Sequence, residues 1–95
     1  MNNSYEIAKS GGKHYGTWKN YKDIPEAMIN RAIQSMTIRI IEHQAWISNP
    51  YTKLPQDIDE RQVTALVSKK WPSDILRLQA EIEVLQGILE DKKNE

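Results

Sequence analysis

The sequence contains no cysteine and no phenylalanine, carries no formal net charge, and lacks any long apolar run. The absence of cysteine excludes disulfides and metal sites built from thiolates. No apolar run approaches the ~20 residues that a membrane-spanning helix needs, so the sequence predicts no such helix. Lys and Arg together number 13, as do Asp and Glu, so attraction to nucleic acid has to come from an uneven distribution of charge.

What the chain does contain is typical of one small globular domain. It has 95 residues, of which 39% are hydrophobic and 27% charged, enough to bury one modest core. We therefore assign residues 1–95 to a single domain. Within it, the pattern separates a basic aromatic arm, residues 1–22, from a helical core, residues 23–95.

The arm concentrates positive charge. From Lys9 to Lys22 the sequence has four lysines and no carboxylate, interleaved with three glycines and four aromatic or imidazole rings. The arm shows no sustained periodicity, and its glycines are typical of loops. We predict an irregular lead-in, with at most a short turn of helix around Tyr5 to Lys9.

The helical core begins with a long amphipathic stretch. Asp23 is its predicted N-cap, Pro25 lies in the first turn, and Asn49-Pro50 ends it, because a residue before proline is pushed out of the helical region. Apolar residues recur along it at steps of three and four, which predicts one buried face. These seam positions are Ile29, Ile33, Met36, Ile40, His43 and Ile47.

Two further helices follow in the core. A short one is predicted to begin near Asp57 or Asp59 and to break at Pro72, after which Ser73 or Asp74 caps a second long helix. The seam of that helix is Ile75, Leu78, Ile82, Leu85 and Leu89. We predict an all-α fold: an antiparallel hairpin of two long helices, a shorter third helix packed across it, and the irregular basic arm.

The arm holds the first group of candidate site residues. Lysines suit the phosphates of a nucleic acid, and flat rings suit the stacking of its bases. We assign Lys13 and His14 to catalysis, and Tyr15, Trp18 and Lys19 to substrate binding. The alternative is that the rings fold back over the helices as a hydrophobic lid.

The second group lies in the helical core. His43 occupies a seam position one turn after Arg39, and we assign both to catalysis; the alternative is that His43 is a hydrogen-bonded core residue. The segment containing Lys69, Lys70 and Trp71 is assigned to substrate binding. The alternative is that these lysines only complement the dipole at a helix C-terminus.

The available side chains favour one chemistry. The sequence has no P-loop, GxGxxG, GxSxG or HxxxH motif, so we predict no metal and no small-molecule cofactor. RNA carries its own nucleophile in the 2′-OH, and its cleavage needs only a base, an acid and cations around the phosphorane. Histidine, lysine and arginine can supply all three, which points to a metal-independent endoribonuclease.

The same residues carry a family resemblance. Gly12-Lys13-His14 with Gly16, then Glu42-His43, Asn49-Pro50 and Lys69 to Pro72 follow one another in the order of a known group. Over roughly Gly11 to Leu89 the chain resembles the all-α toxin domains of bacterial polymorphic toxins called polymorphic toxin type twenty-eight. Domains of that group normally end very long proteins, including proteins like those of contact-dependent growth inhibition.

The resemblance implies a ribonuclease toxin that acts on RNA in the cytoplasm of a target bacterium, after release from or display on the surface of its producer. It also implies a cognate immunity protein, which we expect to be acidic where it covers the basic arm. Two alternatives remain at this point: a non-catalytic helical module that binds nucleic acid, and a helical immunity or adaptor protein that binds only another protein.

Overall fold

The computed structural model describes residues 3–94, and this part of the chain is all-helical with no strand. Its helices are α1 (Asn3–Lys9), α2 (Tyr15–Tyr21), α3 (Glu26–Ser48), α4 (Glu60–Ala65) and α5 (Trp71–Lys93), with a 3₁₀ turn at Pro50–Thr52 and a π-helical turn at Leu66–Lys70. No helix among the described residues is long and apolar enough to cross a membrane.

The two long helices, α3 and α5, pack along each other over an elongated molecule of 54 × 25 × 21 Å. Ile29 near the start of α3 packs with Leu85 and Ile88 near the end of α5. At the opposite end, His43 of α3 contacts Asp74 in the first turn of α5. The two helices therefore run in opposite directions.

The predicted seams are the buried faces of α3 and α5. On α3, Ile29, Ile40 and His43 are buried and the other seam positions are half-buried. On α5, Leu78 and Leu85 are buried and the other predicted positions are half-buried, while Val84 and Ile88, which the predicted seam did not include, are also buried. This confirms the periodicity argument, because the residues spaced by three and four lie on one side of each helix.

The N-terminal segment is not an irregular arm, and that prediction is wrong. It folds into α1 and α2, which pack against the second half of α5. Tyr5 and Ala8, three residues apart on one face of α1, are buried in the main hydrophobic cluster. Burying a ring of this size stabilises a fold by roughly 2–3 kcal/mol, so the segment belongs to the core.

A glycine on α5 makes room for this packing. Gly87 is buried, and a Cβ atom on it would lie 2.1 Å from Cγ of Tyr5. Real atoms do not approach so closely, so the Tyr5 ring rests directly on the backbone of α5. Gly87 weakens the helix by about 1 kcal/mol relative to alanine, but it is the site where α1 docks.

The glycines between α1 and α2 end a helix. Gly11 has φ of 95°, its N–H donates to the carbonyl of Ala8 (3.0 Å), and the Gly12 N–H donates to the carbonyl of Ile7 (2.8 Å). This pair of bonds, with a glycine in the left-handed conformation, is the Schellman motif that closes helix C-termini. The backbone N–H groups of both glycines are thus used within the fold.

The helix predicted to break at Pro72 does not break. Helical structure continues from Glu60 to Lys93, and the Trp71 N–H bonds to the carbonyl of Leu66, five residues earlier. Proline lacks an N–H and clashes with the carbonyl four residues before it, and a widened π turn relieves that clash. Lys69 and Lys70 consequently lie inside a continuous helical rod, so a helix C-terminus does not account for them.

The start of α3 also differs from the prediction. The helix begins at Glu26, directly after Pro25, and its N-terminus has no side-chain cap. Asp23 lies in the preceding turn and is exposed. Its carboxylate faces a cleft beside α2, described below.

Candidate functional site

The predicted site residues fall into two regions at opposite ends of α5. The first, which we call the His14 region, comprises Lys13, His14, Tyr15, Trp18 and Lys19. The second, the His43 region, comprises Arg39, His43, Lys69, Lys70 and Trp71. The structure does not bring the two together.

The separation can be measured along α5. Trp18, one turn from His14, lines a cleft with Asp91 near the end of α5, whereas His43 contacts Asp74 at its start. Seventeen residues of helix span about 25 Å at ~1.5 Å per residue. One phosphate cannot contact groups so far apart, so we withdraw the pairing of the two imidazoles around a single phosphate.

His14 lies at the junction between the loop and α2. Its φ is 68°, and it is the only non-glycine residue within 3–94 with a positive φ. The left-handed conformation costs roughly 1–2 kcal/mol for a residue with a Cβ. Two bonds hold it in place: the Trp18 N–H donates to the His14 carbonyl (3.1 Å), and the Tyr15 N–H donates to the Gly12 carbonyl (3.0 Å).

The His14 ring has an unusual hydrogen-bonding state. Its Nε2 atom is buried and has no hydrogen-bond partner among the described residues. Leaving a buried polar atom unpaired costs roughly 1–3 kcal/mol, so such atoms are rare in folded proteins. Backbone strain and an unpaired nitrogen in one residue are typical of a functional position rather than a structural one.

The positive charges around His14 are uncompensated. Lys13, Lys19 and Lys22 are exposed, and no ion pair joins any of them to another residue in the described part of the chain. Lys9 differs, because its Nζ lies 3.2 Å from Oδ2 of Asp91. The surface around α2 therefore carries positive charge that no ion pair within residues 3–94 neutralises.

Two rings accompany these cations. The centroids of Tyr15 and Trp18 are 5.9 Å apart, and Tyr15 is 41% exposed. Trp18 is half-buried against the main cluster, with Nζ of Lys22 5.2 Å from its ring centroid. Tyr15 is thus exposed, whereas Trp18 packs against the core, as the hydrophobic-lid alternative predicts; the stacking roles of both rings stay predictions.

A cleft of about 230 Å³ lies beside α2, and sequence reasoning missed it. It is formed where α1, α2 and the end of α5 meet. The Tyr5 hydroxyl donates to Asp91, and Lys9 donates to the same carboxylate at 3.2 Å. These partners are more than 80 positions apart in the chain, so no spacing pattern reveals them. The one local signal was Gly87, a glycine inside a strong helix.

This network shifts two titrations. Burial of Tyr5, together with its hydrogen bond to Asp91, raises the pKa of the phenol. The hydrogen bond from Tyr5, joined by that from Lys9, holds the pKa of the Asp91 carboxyl below its ordinary value. The ionised carboxylate is the form that accepts both bonds, so the cleft wall is held in place by charge as well as by packing.

In the His43 region the imidazole is buried and both nitrogens have partners. Nδ1 of His43 lies 2.6 Å from the carbonyl oxygen of Arg39, and Nε2 lies 3.5 Å from Oδ2 of Asp74. A carbonyl oxygen only accepts, so Nδ1 carries a hydrogen. An ionised carboxylate also only accepts, so a second proton has to lie between Nε2 and Asp74 for the contact to be attractive.

Asp74 is held in turn by Lys70, whose Nζ lies 3.2 Å from Oδ1. Partial burial acts to raise the pKa of Asp74, but the hydrogen bond and charge of Lys70, aided by the charges of Arg77 and His43, bring it below the ordinary value. His43, Asp74 and Lys70 therefore form a charged bridge between α3 and the rod that contains α5.

The remaining residues of the His43 region do not form a site with His14. Trp71 is only 5% exposed and packs against Trp46, with centroids 5.6 Å apart, so it offers no free face to a base. The side chains of Arg39 and Lys69 are exposed near this bridge. We accordingly remove Trp71 from the substrate-binding set and Arg39 and His43 from the catalytic set at His14.

Comparison with protein-family models, with curated proteins and with solved structures returned no match to this chain. The resemblance to polymorphic toxin domains therefore stays a prediction based on short motifs. Within residues 3–94 there is no group of three or more His, Asp or Glu side chains that could hold a metal ion.

Proposed function

We propose that this protein is a metal-independent endoribonuclease whose active centre is the His14 region. One observation carries the proposal: an imidazole with a buried, unpaired nitrogen is held in a strained backbone conformation beside lysines that have no ion-pair partner. Neither the strain nor the missing hydrogen bond contributes to folding. Both are explained if the ring turns on substrate binding, so that this nitrogen becomes exposed and exchanges a proton with the substrate.

In this proposal the roles are divided between two neighbouring residues. His14 accepts the proton of the RNA 2′-OH, and the oxygen then attacks the adjacent phosphorus. Lys13 neutralises charge on the phosphorane and protonates the departing 5′-oxygen, while Tyr15 stacks on a base. A single imidazole in this proposal replaces the imidazole pair considered from the sequence.

The biological setting follows from the motif resemblance. A nuclease active in its own producer would be lethal. We therefore propose that the protein is a toxin that its producer releases or displays on its surface, and that acts in the cytoplasm of a target bacterium. We further propose a cognate immunity protein that is acidic where it covers α2. Its association should be fast at low ionic strength and slow markedly with added salt, because charge steers the encounter.

The test is cleavage of purified total RNA by purified protein in EDTA, which removes divalent metal ions. We expect discrete fragments from the wild-type protein. His14→Ala should lower the rate about 10²–10⁴-fold, the range of a general acid–base group, with the helical circular dichroism unchanged. Lys13→Ala should also lower it, whereas Lys93→Ala, which removes an exposed lysine in the last turn of α5 that lies outside the proposed active centre, should leave it unchanged.

Four results would contradict the proposal in whole or in part. Intact RNA in EDTA would exclude a metal-independent nuclease, and cleavage restored only by a divalent ion would exclude metal independence alone. Intact RNA together with a salt-sensitive gel shift would favour the non-catalytic nucleic-acid-binding module. No effect on RNA in either assay would favour a protein that only binds another protein.

A further inference from the structure

The cleft beside α2 is distinct from the exposed surface that carries His14, although Trp18 belongs to both. Its walls come from α1, α2 and the last turns of α5. Some of its charged side chains form ion pairs within the fold and others do not. Lys9 is bound to Asp91. Lys22 and Lys92 also line the cleft, and no ion pair within residues 3–94 involves either.

The net charge of the cleft favours the binding of a single anion. Three ammonium groups and two carboxylates line it, which leaves one net positive charge. One of the carboxylates, Asp91, is already engaged by Tyr5 and Lys9. The two uncommitted lysines, Lys22 and Lys92, are the groups that a phosphate would meet, since lysine binds phosphate as a point charge.

The aromatic surface of the cleft favours a ligand with a flat ring. Trp18, which is half-buried, supplies the aromatic surface that a base can reach, while Tyr5 and Ile88 are 6% and 3% exposed and support the cleft from below. The volume of about 230 Å³ exceeds the ~150 Å³ that encloses benzene in a protein cavity. It is smaller than the ~300–1,000 Å³ of sites for drug-sized ligands, so one nucleobase fits and two do not.

We propose that this cleft is a subsite for one nucleotide of single-stranded RNA, with the base against Trp18 and the phosphate between Lys22 and Lys92. The substrate class in this inference rests on the proposed function. The inference adds a binding site for a nucleotide next to the cleaved one. A base can enter the cleft only when it is unstacked, so duplex RNA is excluded.

The tryptophans provide the readout. Trp18 lines the cleft, whereas Trp46 and Trp71 pack together in the His43 region. In ¹H–¹⁵N spectra, titration with adenosine 5′-monophosphate should shift the Trp18 indole signal and leave the other two in place. Adenosine, which lacks the phosphate, and inorganic phosphate, which lacks the base, should each bind more weakly than the nucleotide.

Neighbouring lysines provide a matched pair of variants. Lys92 lines the cleft, while Lys93 is exposed and does not. Lys92→Gln should weaken nucleotide binding several-fold and lower the salt slope for a single-stranded 2′-O-methyl RNA, which cannot be cleaved, by about 0.7. Lys93→Gln should match the wild type in nucleotide binding.

The outcomes separate this inference from the proposed function. Equal effects of the two lysine variants, inorganic phosphate binding as tightly as the nucleotide, or shifts at Trp46 and Trp71 instead of Trp18 would each overturn the subsite. RNA cleavage without any nucleotide-dependent shift at Trp18 would overturn the subsite and leave the nuclease standing. A shift at Trp18 with no RNA cleavage would support a nucleotide site and overturn the nuclease.

Discussion

The two histidines of this protein occupy opposite environments. His43 is buried and has a partner at each ring nitrogen, whereas His14 lies in a loop with Nε2 unpaired and its backbone in a left-handed conformation. Both looked like catalytic candidates in the sequence. A histidine whose bonds are all satisfied by the fold contributes to stability, while one that is strained and unsatisfied has to be explained by something outside the fold.

The difference extends to the surrounding charge. Around His43 the nearest charges form a closed bridge through Asp74 and Lys70, and the neighbouring Trp71 is covered. Around His14, the three lysines Lys13, Lys19 and Lys22 have no ion-pair partner among residues 3–94, and Tyr15 is open to solvent. The charges of the first region are paired within the fold, whereas those of the second are not paired within the described part of the chain.

The largest effect expected from this contrast is on catalysis by His14→Gly. Glycine adopts the left-handed conformation without strain and removes the buried unpaired nitrogen. We expect RNA cleavage to fall about 10²–10⁴-fold, while the free energy of unfolding stays the same or rises by up to about 1 kcal/mol. Cleavage rates and urea denaturation measure the two quantities. A loss of stability in this variant would mean that His14 is a core residue.

The next largest effect concerns the docking of α1. Gly87→Ala places a methyl group where the Tyr5 ring lies, and overpacking of this kind costs about 1–3 kcal/mol despite the better helix propensity of alanine. Gly16→Ala is the matched control, because a Cβ there meets no atom within 4 Å. We expect thermal melting to show a lower midpoint for the first variant and an equal or higher one for the second. Equal midpoints would contradict the close packing of Tyr5 on α5.

The variant His43→Gln tests whether His43 contributes to stability rather than to catalysis. Gln has a similar volume but cannot both donate to the Arg39 carbonyl and share a proton with Asp74. We expect a loss of about 1–3 kcal/mol in the free energy of unfolding, since a buried group loses its partner. RNA cleavage measured well below the melting temperature should stay at the wild-type level. A selective loss of activity in a stable variant would return His43 to the active centre.

The smallest effect is the pH dependence of stability at the cleft. The pKa of Asp91 is lowered by folding, so its contribution is present above the unfolded value near 3.9 and is lost as pH falls through the folded pKa. Asp91→Asn should melt below the wild type at pH 7, and the difference should shrink below about pH 4. Melting curves from pH 2 to pH 7 give the comparison. A difference that is constant with pH would exclude the carboxylate as its source.

Local periodicity was sufficient to predict the framework of this fold. The seams of α3 and α5, the all-α class and the end of α3 at Asn49-Pro50 follow from residue spacing and backbone sterics within about one helical turn. His14 and Lys13 were selected from the sequence because nothing in the helix pattern accounts for them. Their catalytic role remains the prediction that the RNA assay tests.

Only the tertiary structure decided which residues meet. The separation of His14 from His43 depends on which ends of α3 and α5 lie together and on where α1 and α2 dock. A hydrophobic pattern of period three or four contains no information on either. The π turn before Pro72 was hidden for a similar reason, because proline's local rule predicts a break while packing on α3 favours a continuous rod. The cleft arises from Tyr5, Gly87 and Asp91, which interact across more than 80 residues. Such contacts depend on the balance of burial and charge over the whole chain, and no short window of sequence contains both partners.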